Sequence, residues 1–251
     1  MNSEGERRTN GDDTRGFLHT AGGVLPVVAA AHELKAPLAL MRQLILYLES
    51  PDVSEGQRQK MLHRARVTAE RGLRLTSDIT KAARIEDGAL FTLEPINPEQ
   101  VCHDIAAELT PLFEAHGRSV SVQSRRHPLL LVANRDLLRR ILLGFSDNAL
   151  HYSQPGAPVQ LQITALKQAG KVRVGVRDYG PALSSDLWQT LQKKLKVAPQ
   201  PVHARPESSG LGLVLAQQFA EVMNGEIGVV RHKDGATFYI DLQASTQLSL
   251  W

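Results

Sequence analysis

One cysteine, Cys102, is all that the 251 residues contain. An intrachain disulfide is therefore excluded, and nothing in the composition calls for an oxidising compartment. Charge of one sign is equally scarce. Twenty-nine Lys and Arg against 26 Asp and Glu leave a formal net charge of +3. That is too little to argue for a nucleic-acid partner, and none is expected. Long apolar runs are also missing. The longest near the N-terminus, "GGVLPVVAAA" (22–31), is too short to span a bilayer. It lacks the basic stretch directly before it that a secretory signal carries. No transmembrane segment is expected, and the chain reads as cytoplasmic.

What is present is helical periodicity followed by alternation. Residues 1–21 are polar and charged and are expected to form a disordered tail. From residue 24 to 49 the apolar residues Val24, Val27, Ala31, Leu34, Leu38, Met41, Ile45 and Leu48 recur at steps of three and four. That heptad seam predicts a helix packed in a bundle. "SPD" (50–52) ends it, and Ser54 with Gln57 predicts an N-cap and capping box for a second helix running to about Glu86. Its inward positions are expected to be Leu62, Ala65, Ala69, Leu73, Thr76, Ile79 and Ala83, with Gly88 as the stop. One hairpin cannot bury both seams, so a dimeric four-helix bundle is expected.

Beyond Gly88 the pattern changes. "LFTLEPI" reads as a strand and "NPEQVCHDIAAELTPLFEAHG" as a helix capped by Asn97 with Pro98 in its first turn. Strands at "SVSVQ" and "LLLVA" precede a helix over "RDLLRRILLGFSDNALHYS". "VQLQITAL" and "KVRVGVRD" alternate as a hairpin pair. A long loop is expected from about Gly180 to Ser209, then a helix over "LGLVLAQQFAEVMNG" and two closing strands, "EIGVVRH" and "ATFYIDL". The expected fold is a helical-hairpin domain (22–87), then an α/β sandwich domain (88–243) with helices on one face of one sheet. A short tail (244–251) follows.

Five stretches carry chemistry. "HELKAPL" (32–38) sets His32 and Glu33 just off the seam, on the solvent side of the first helix, and places Pro37 inside it. An outward His beside a carboxylate can serve as an oriented nucleophile; alone, it is more simply a solvated pair. Pro37 removes a backbone hydrogen bond, which either loosens that turn or is merely tolerated. "DNALHY" (147–152) places Asn148 in an otherwise apolar helix, "DYGPA" (178–182) follows a strand, and "SSGLGL" (208–213) opens a helix. Backbone N–H groups at such a helix start suit a triphosphate. "DGATFYIDL" (234–242) closes the domain.

In this order these stretches resemble the H-box, N-box and two glycine boxes of sensor histidine kinases, over residues 22 to 243. The resemblance implies an ATP- and Mg²⁺-dependent kinase that phosphorylates His32 and passes the phosphoryl group to an aspartate on the receiver domain of a response regulator. It assigns orientation of the imidazole to Glu33 and Mg²⁺ to Asn148. His151 and Tyr152 fall near the phosphates, although a plain surface His remains open for His151. Asp178 falls to the adenine amino group and Gly180 to close approach of the base. Ser209, Gly210, Leu211 and Gly212 fall to the triphosphate. The long loop fits an ATP lid, whose Lys193, Lys194 and Lys196 meet phosphate or are simply solvated. A homodimer is implied. The signal is expected from a partner such as a separate sensor protein, from the N-terminal tail, or from the ATP-binding domain itself. The chain departs from the pattern at Gly144, where an Asn is usual, and at Ala182 and Ser208, where Gly is usual. Ala36 replaces a Thr and implies weak phosphatase activity. Two further readings stand beside the kinase: a catalytically impaired ATP-binding dimeric scaffold, and an ATPase of the same superfamily without phosphotransfer.

Overall fold

The computed structural model describes residues 24–86, 90–125, 130–154, 156–166, 170–195 and 211–246. The proposed N-terminal tail, Gly88, Lys196, Ser208, Ser209 and Gly210 lie outside them. Two long helices lead, α1 (Val24–Leu48) and α2 (Glu55–Glu86). The capping box is in place. The Gln57 backbone N–H donates to Ser54 Oγ at 3.4 Å, and the Ser54 N–H to Gln57 Oε1 at 3.2 Å. Arg58 donates to the Leu48 carbonyl at 3.1 Å, and Pro37 lies against Gly72. The helices therefore run antiparallel. α1 continues through Pro37 to Leu48.

Within one chain the seams are only partly covered. Among the residues of α1 whose side chains are described, the buried one is Leu44, while Leu38 is 67% exposed and Ile45 also faces solvent. On α2 the expected inward residues Leu62 and Leu73 are exposed, Leu73 at 71%, as are Thr76 and Ala83. Thr68, Asp78 and Ala82 are buried instead. The face of α2 that turns inward packs on the rest of the chain, with Leu75, Ile79, Ala82 and Ile85 joining the core of the following domain.

That domain contains β1 (Glu94–Ile96), α3 (Pro98–Ala115), β2 (Ser119–Arg125), β3 (Leu131–Ala133) and α4 (Arg135–Tyr152). It continues with β4 (Pro158–Leu166), β5 (Lys171–Asp178), α5 (Ser185–Lys194), α6 (Leu211–Val222), β6 (Glu226–His232) and β7 (Gly235–Gln243). Asn97 and Asn134 cap α3 and α4 by accepting from Glu99 N (2.9 Å) and Leu137 N (3.1 Å). Five strands form one sheet in the order β2-β4-β5-β7-β6, parallel only between β2 and β4. The strand expected at 90–96 shrinks to three residues and pairs with β3 in a separate two-stranded sheet. The expected long loop after Gly180 contains α5, capped by Ser184.

Strict alternation sets the layers. Val159, Leu161 and Ile163 of β4, Val172, Val174 and Val176 of β5, and Phe238, Ile240 and Leu242 of β7 are buried. They join one core with Ile105 and Phe113 of α3, Leu138, Ile141 and Phe145 of α4, and Phe219 of α6. The intervening residues form a polar outer face. There Arg173 grips Asp241 through two 2.7 Å hydrogen bonds and covers the Tyr239 ring at 3.5 Å.

Candidate nucleotide-binding site

Asp178 is the last residue of β5 and falls on the inward register of Val172, Val174 and Val176. It is 3% exposed. A carboxylate there needs donors, since burying a charge without them is costly. One comes from the neighbouring strand. Asp178 pairs in register with Ala236, whose backbone N–H donates to Asp178 Oδ1 at 3.2 Å. The close approach depends on Gly235, which sits at φ 131 after the Lys233-Asp234 turn. A Cβ at Gly235 would run into the Asp178 carbonyl and carboxylate.

Arg177 points to the opposite face and braces this corner. Its guanidinium pairs with Asp234 Oδ1 at 2.5 Å, donates to the Asp178 carbonyl, and lies 4.2 Å from the Tyr179 ring centroid. His232, beside it, contacts Thr237 Oγ1 at 2.8 Å through Nε2. Burial, with help from Arg177, holds its pKa below the ordinary value against the opposing pull of Asp234. Arg231 reaches the segment after the site, donating to the Leu183 carbonyl at 2.7 Å and to Ser185 Oγ at 3.2 Å.

The end of α4 meets the same corner. Gln154 N–H donates to the Tyr179 carbonyl at 3.0 Å. Gly180 is buried against Tyr152, and a Cβ there would collide with the Tyr152 carbonyl while lying 3.4 Å from Asp178 Oδ1. The sequence reserved Gly180 for the approach of a base; the structure shows that its missing side chain first admits the end of α4. Tyr152, Asp178 and Gly180 are thus brought together. Asn148, half-buried, stands one turn before Tyr152 on α4. The backbone of His151 follows on the same helix.

α6 packs against α4 and begins at Leu211. Gly212, in its first turn, is exposed with open space where a Cβ would be. Lys193 is exposed at the end of α5, so the basic run is in part a solvated helix face. Ala182 is exposed. On α1 the backbone of His32 and Glu33 is helical, and Lys35 and Ala36 are exposed just beyond. Among the described residues no three His, Cys, Asp or Glu side chains cluster as a metal site. A cavity of about 370 Å³ lies at the other end of α6, lined by Gln192, Leu195, Gln217, Glu221 and Tyr239 among others. None of the expected nucleotide residues lines it.

Three contributors to this corner were not singled out by motif: Arg177, Arg231 and the Ala236 N–H; Gly235 lies in the DGATFYIDL stretch, but its part in seating Asp178 did not show there. A backbone donor leaves no residue signature. The two arginines carried one legible signal, since each sits in a strand whose neighbours alternate.

A family model described as "Histidine kinase-, DNA gyrase B-, and HSP90-like ATPase" matches residues 133–246. The chain is 28% identical over 220 residues to the sensor protein GacS of Pseudomonas syringae pv. syringae, covering 85% of this chain and 24% of that protein. It is 25% identical over 215 residues to the histidine protein kinase SaeS of Staphylococcus epidermidis, covering 85% and 61%. It therefore spans about a quarter of the one and under two thirds of the other. Among solved structures, histidine kinase ThkA in complex with response regulator protein TrrA superposes with a TM-score of 0.62 at 14% identity, over 87% of this chain and 61% of that one. Full-length ShkA in complex with AMPPNP gives 0.59 at 23%, over 90% and 47%. At such identities the likeness is one of fold.

Proposed function

Because the chain belongs to the sensor histidine kinases, with an ATP-binding domain of the type shared with DNA gyrase B and HSP90, we propose that it is an ATP-dependent histidine autokinase. It phosphorylates His32 and then transfers the phosphoryl group to an aspartate on a response-regulator receiver domain. The observation that carries this reading is the buried Asp178 carboxylate, seated on the Ala236 N–H and locked to the end of α4 through Gly180.

Asp178 accepts the adenine amino proton, which selects against guanine, where a carbonyl would face a carboxylate. The stretch from Ser209 to Gly212, which leads into α6 at Leu211, supplies N–H groups to the triphosphate. His151 and Tyr152 extend the phosphate side. Asn148 offers a single amide oxygen, which fits a Mg²⁺ that keeps several waters and shares phosphate oxygens. When bound there, the metal neutralises charge on the triphosphate. Glu33 orients the His32 imidazole and takes its proton. The free imidazole nitrogen forms a bond to the γ-phosphorus as the bond to the bridging oxygen breaks and ADP leaves.

The division at about residue 87 gives a hairpin that donates the histidine and a domain, 88–243, that supplies ATP. The exposed Leu38, Ile45, Leu62 and Leu73 favour a second copy covering the hairpin as a homodimer. Among the described residues no helix is long and apolar enough to cross a membrane. One observation favours the impaired-scaffold alternative. Gly144, where a polar side chain is usual, leaves open space on α4. Incubation with γ-labelled ATP and Mg²⁺ decides between them. Acid-labile, alkali-stable label on the chain supports the kinase; ATP binding without label supports the scaffold.

A further inference from the structure

Asp78 lies on the buried face of α2, with its side chain 4% exposed, and its two carboxylate oxygens pair with Nε and Nη2 of Arg140 on α4. The partners are 62 positions apart. Among the described residues this is the one ion pair that ties the hairpin to the ATP-binding domain. Leu75, Ile79 and Ala82 surround it on α2. Lys81 from α2 and Asp147 from α4 also bear on Asp78. The Nη1 nitrogen of Arg140 is buried without a hydrogen-bond partner.

The position of this pair along the hairpin matters. Pro37 lies opposite Gly72, 4.0 Å from the place of its Cβ. In an antiparallel hairpin of equal rise, five residues back from Pro37 is His32 and five on from Gly72 is Ser77. Asp78 therefore stands at the level of His32. Arg140 precedes Asn148 by about two turns, or about 12 Å along α4. The ion pair thus holds against α2, at that level, the half of α4 that does not carry Asn148, whereas His32 must come within about 3.5 Å of its target. His32 must also meet a receiver domain, so whatever covers this level has to leave.

A buried ion pair fixes a geometry more than it adds net stability, because desolvation offsets most of the attraction. One whose guanidinium keeps an unpaired nitrogen is especially easy to release. We infer that Asp78 and Arg140 form a releasable clamp that parks the ATP-binding domain on the hairpin in a resting position and thereby limits autophosphorylation. The inference about rate rests on the kinase reading above; the clamp itself does not.

The test uses the full chain and three variants: Asp78→Asn, Arg140→Gln, and the reversed pair Asp78→Arg with Arg140→Asp. Hydrogen exchange at residues 75–82 and 137–143 reports docking without reference to activity. Each single variant is expected to raise exchange there by about fivefold or more, the low end of coupling between sites. The labelling rate at saturating ATP should rise similarly, and the reversed pair should return both towards the natural values. Unchanged exchange in the single variants overturns the clamp, as does a reversed pair that behaves no better than they do. Faster exchange with slower labelling overturns the resting assignment, since the pair would then hold a productive pose. Absence of label in the natural protein defeats the kinase reading alone, and exchange still decides the clamp.

Discussion

Gly180 and Gly144 should respond to alanine in opposite directions. At Gly180 the added methyl meets the backbone carbonyl of Tyr152 and lies 3.0 Å from its carbonyl carbon. Backbone at the end of α4 cannot swing aside as a flexible side chain would, so either α4 or the segment after β5 must move. Overpacking of this kind costs about 1–3 kcal/mol. At about 2–4 °C per kcal/mol for a domain near this size, the melting temperature should drop by about 2–12 °C. The movement also separates Asp178 from the α4 end that carries Asn148, so ATP affinity should fall about tenfold or more, equivalent to at least about 1.4 kcal/mol. Gly144, one turn before Asn148, has nothing within 4 Å of its Cβ position. Gly144→Ala should gain about 0.5–1 kcal/mol from helix propensity and leave ATP affinity alone. Thermal melts and nucleotide titrations of the two variants measure both effects. A Gly180→Ala protein with natural stability and affinity would refute the reasoning, as would a Gly144→Ala protein destabilised to the same degree.

Asp178→Asn keeps an acceptor for the Ala236 N–H but loses the charge; ATP affinity should fall about tenfold to a hundredfold with weaker preference over GTP, and unchanged nucleotide titrations would place adenine elsewhere. Asn148→Ala should abolish Mg²⁺-dependent turnover while ATP binding without metal persists, checked by titration with and without the ion. Ala36 is exposed and has neither donor nor acceptor, so the natural protein should barely speed the decay of its phosphorylated regulator. Ala36→Thr should speed it about tenfold or more; strong acceleration by the natural chain would show that position 36 does not decide this activity. His232 titrates below its ordinary 6.5, so the unfolded chain takes up its proton at higher pH than the folded one. The stability it contributes is complete above about pH 6.5 and is lost as pH falls from there towards the lowered folded value. Melting temperature should therefore drop between about pH 7.5 and 5.5, and His232→Gln should flatten that drop; an unaltered slope would remove His232 as its source.

Much of the ATP-binding domain was legible because its strands alternate and its helices carry local caps. Asn97 and Ser54 act where their spacing predicted, and β4 and β5 pair as expected. α5 was not legible in the same reading, because its flanking Pro and Ser residues signal loop. Yet Ser184 followed by Leu187, Trp188, Leu191 and Leu195 is a cap and an apolar stripe at helical spacing. The face of α2 that its own chain covers was not legible, for a different reason. Periodicity shows that α2 has an apolar face, but its length carries two, and which one meets its own chain depends on where α4 and α6 sit. Asp78 illustrates this: in sequence it looks like a solvated acid on a helix, and only the position of Arg140, 62 residues away, makes it buried. Asp178 was found through its motif, whereas the Ala236 N–H and the open φ of Gly235 that seat it belong to backbone geometry.

The central claim is that this chain moves the γ-phosphoryl group of ATP onto His32. The most direct measurement is labelling of the natural protein and of His32→Ala with γ-labelled ATP and Mg²⁺, with ATP affinity determined on the same samples. The account predicts acid-labile, alkali-stable label on the natural protein alone, with affinity the same in both, because His32 lies on the hairpin and not at the nucleotide corner. Label persisting on His32→Ala at a comparable level would contradict it.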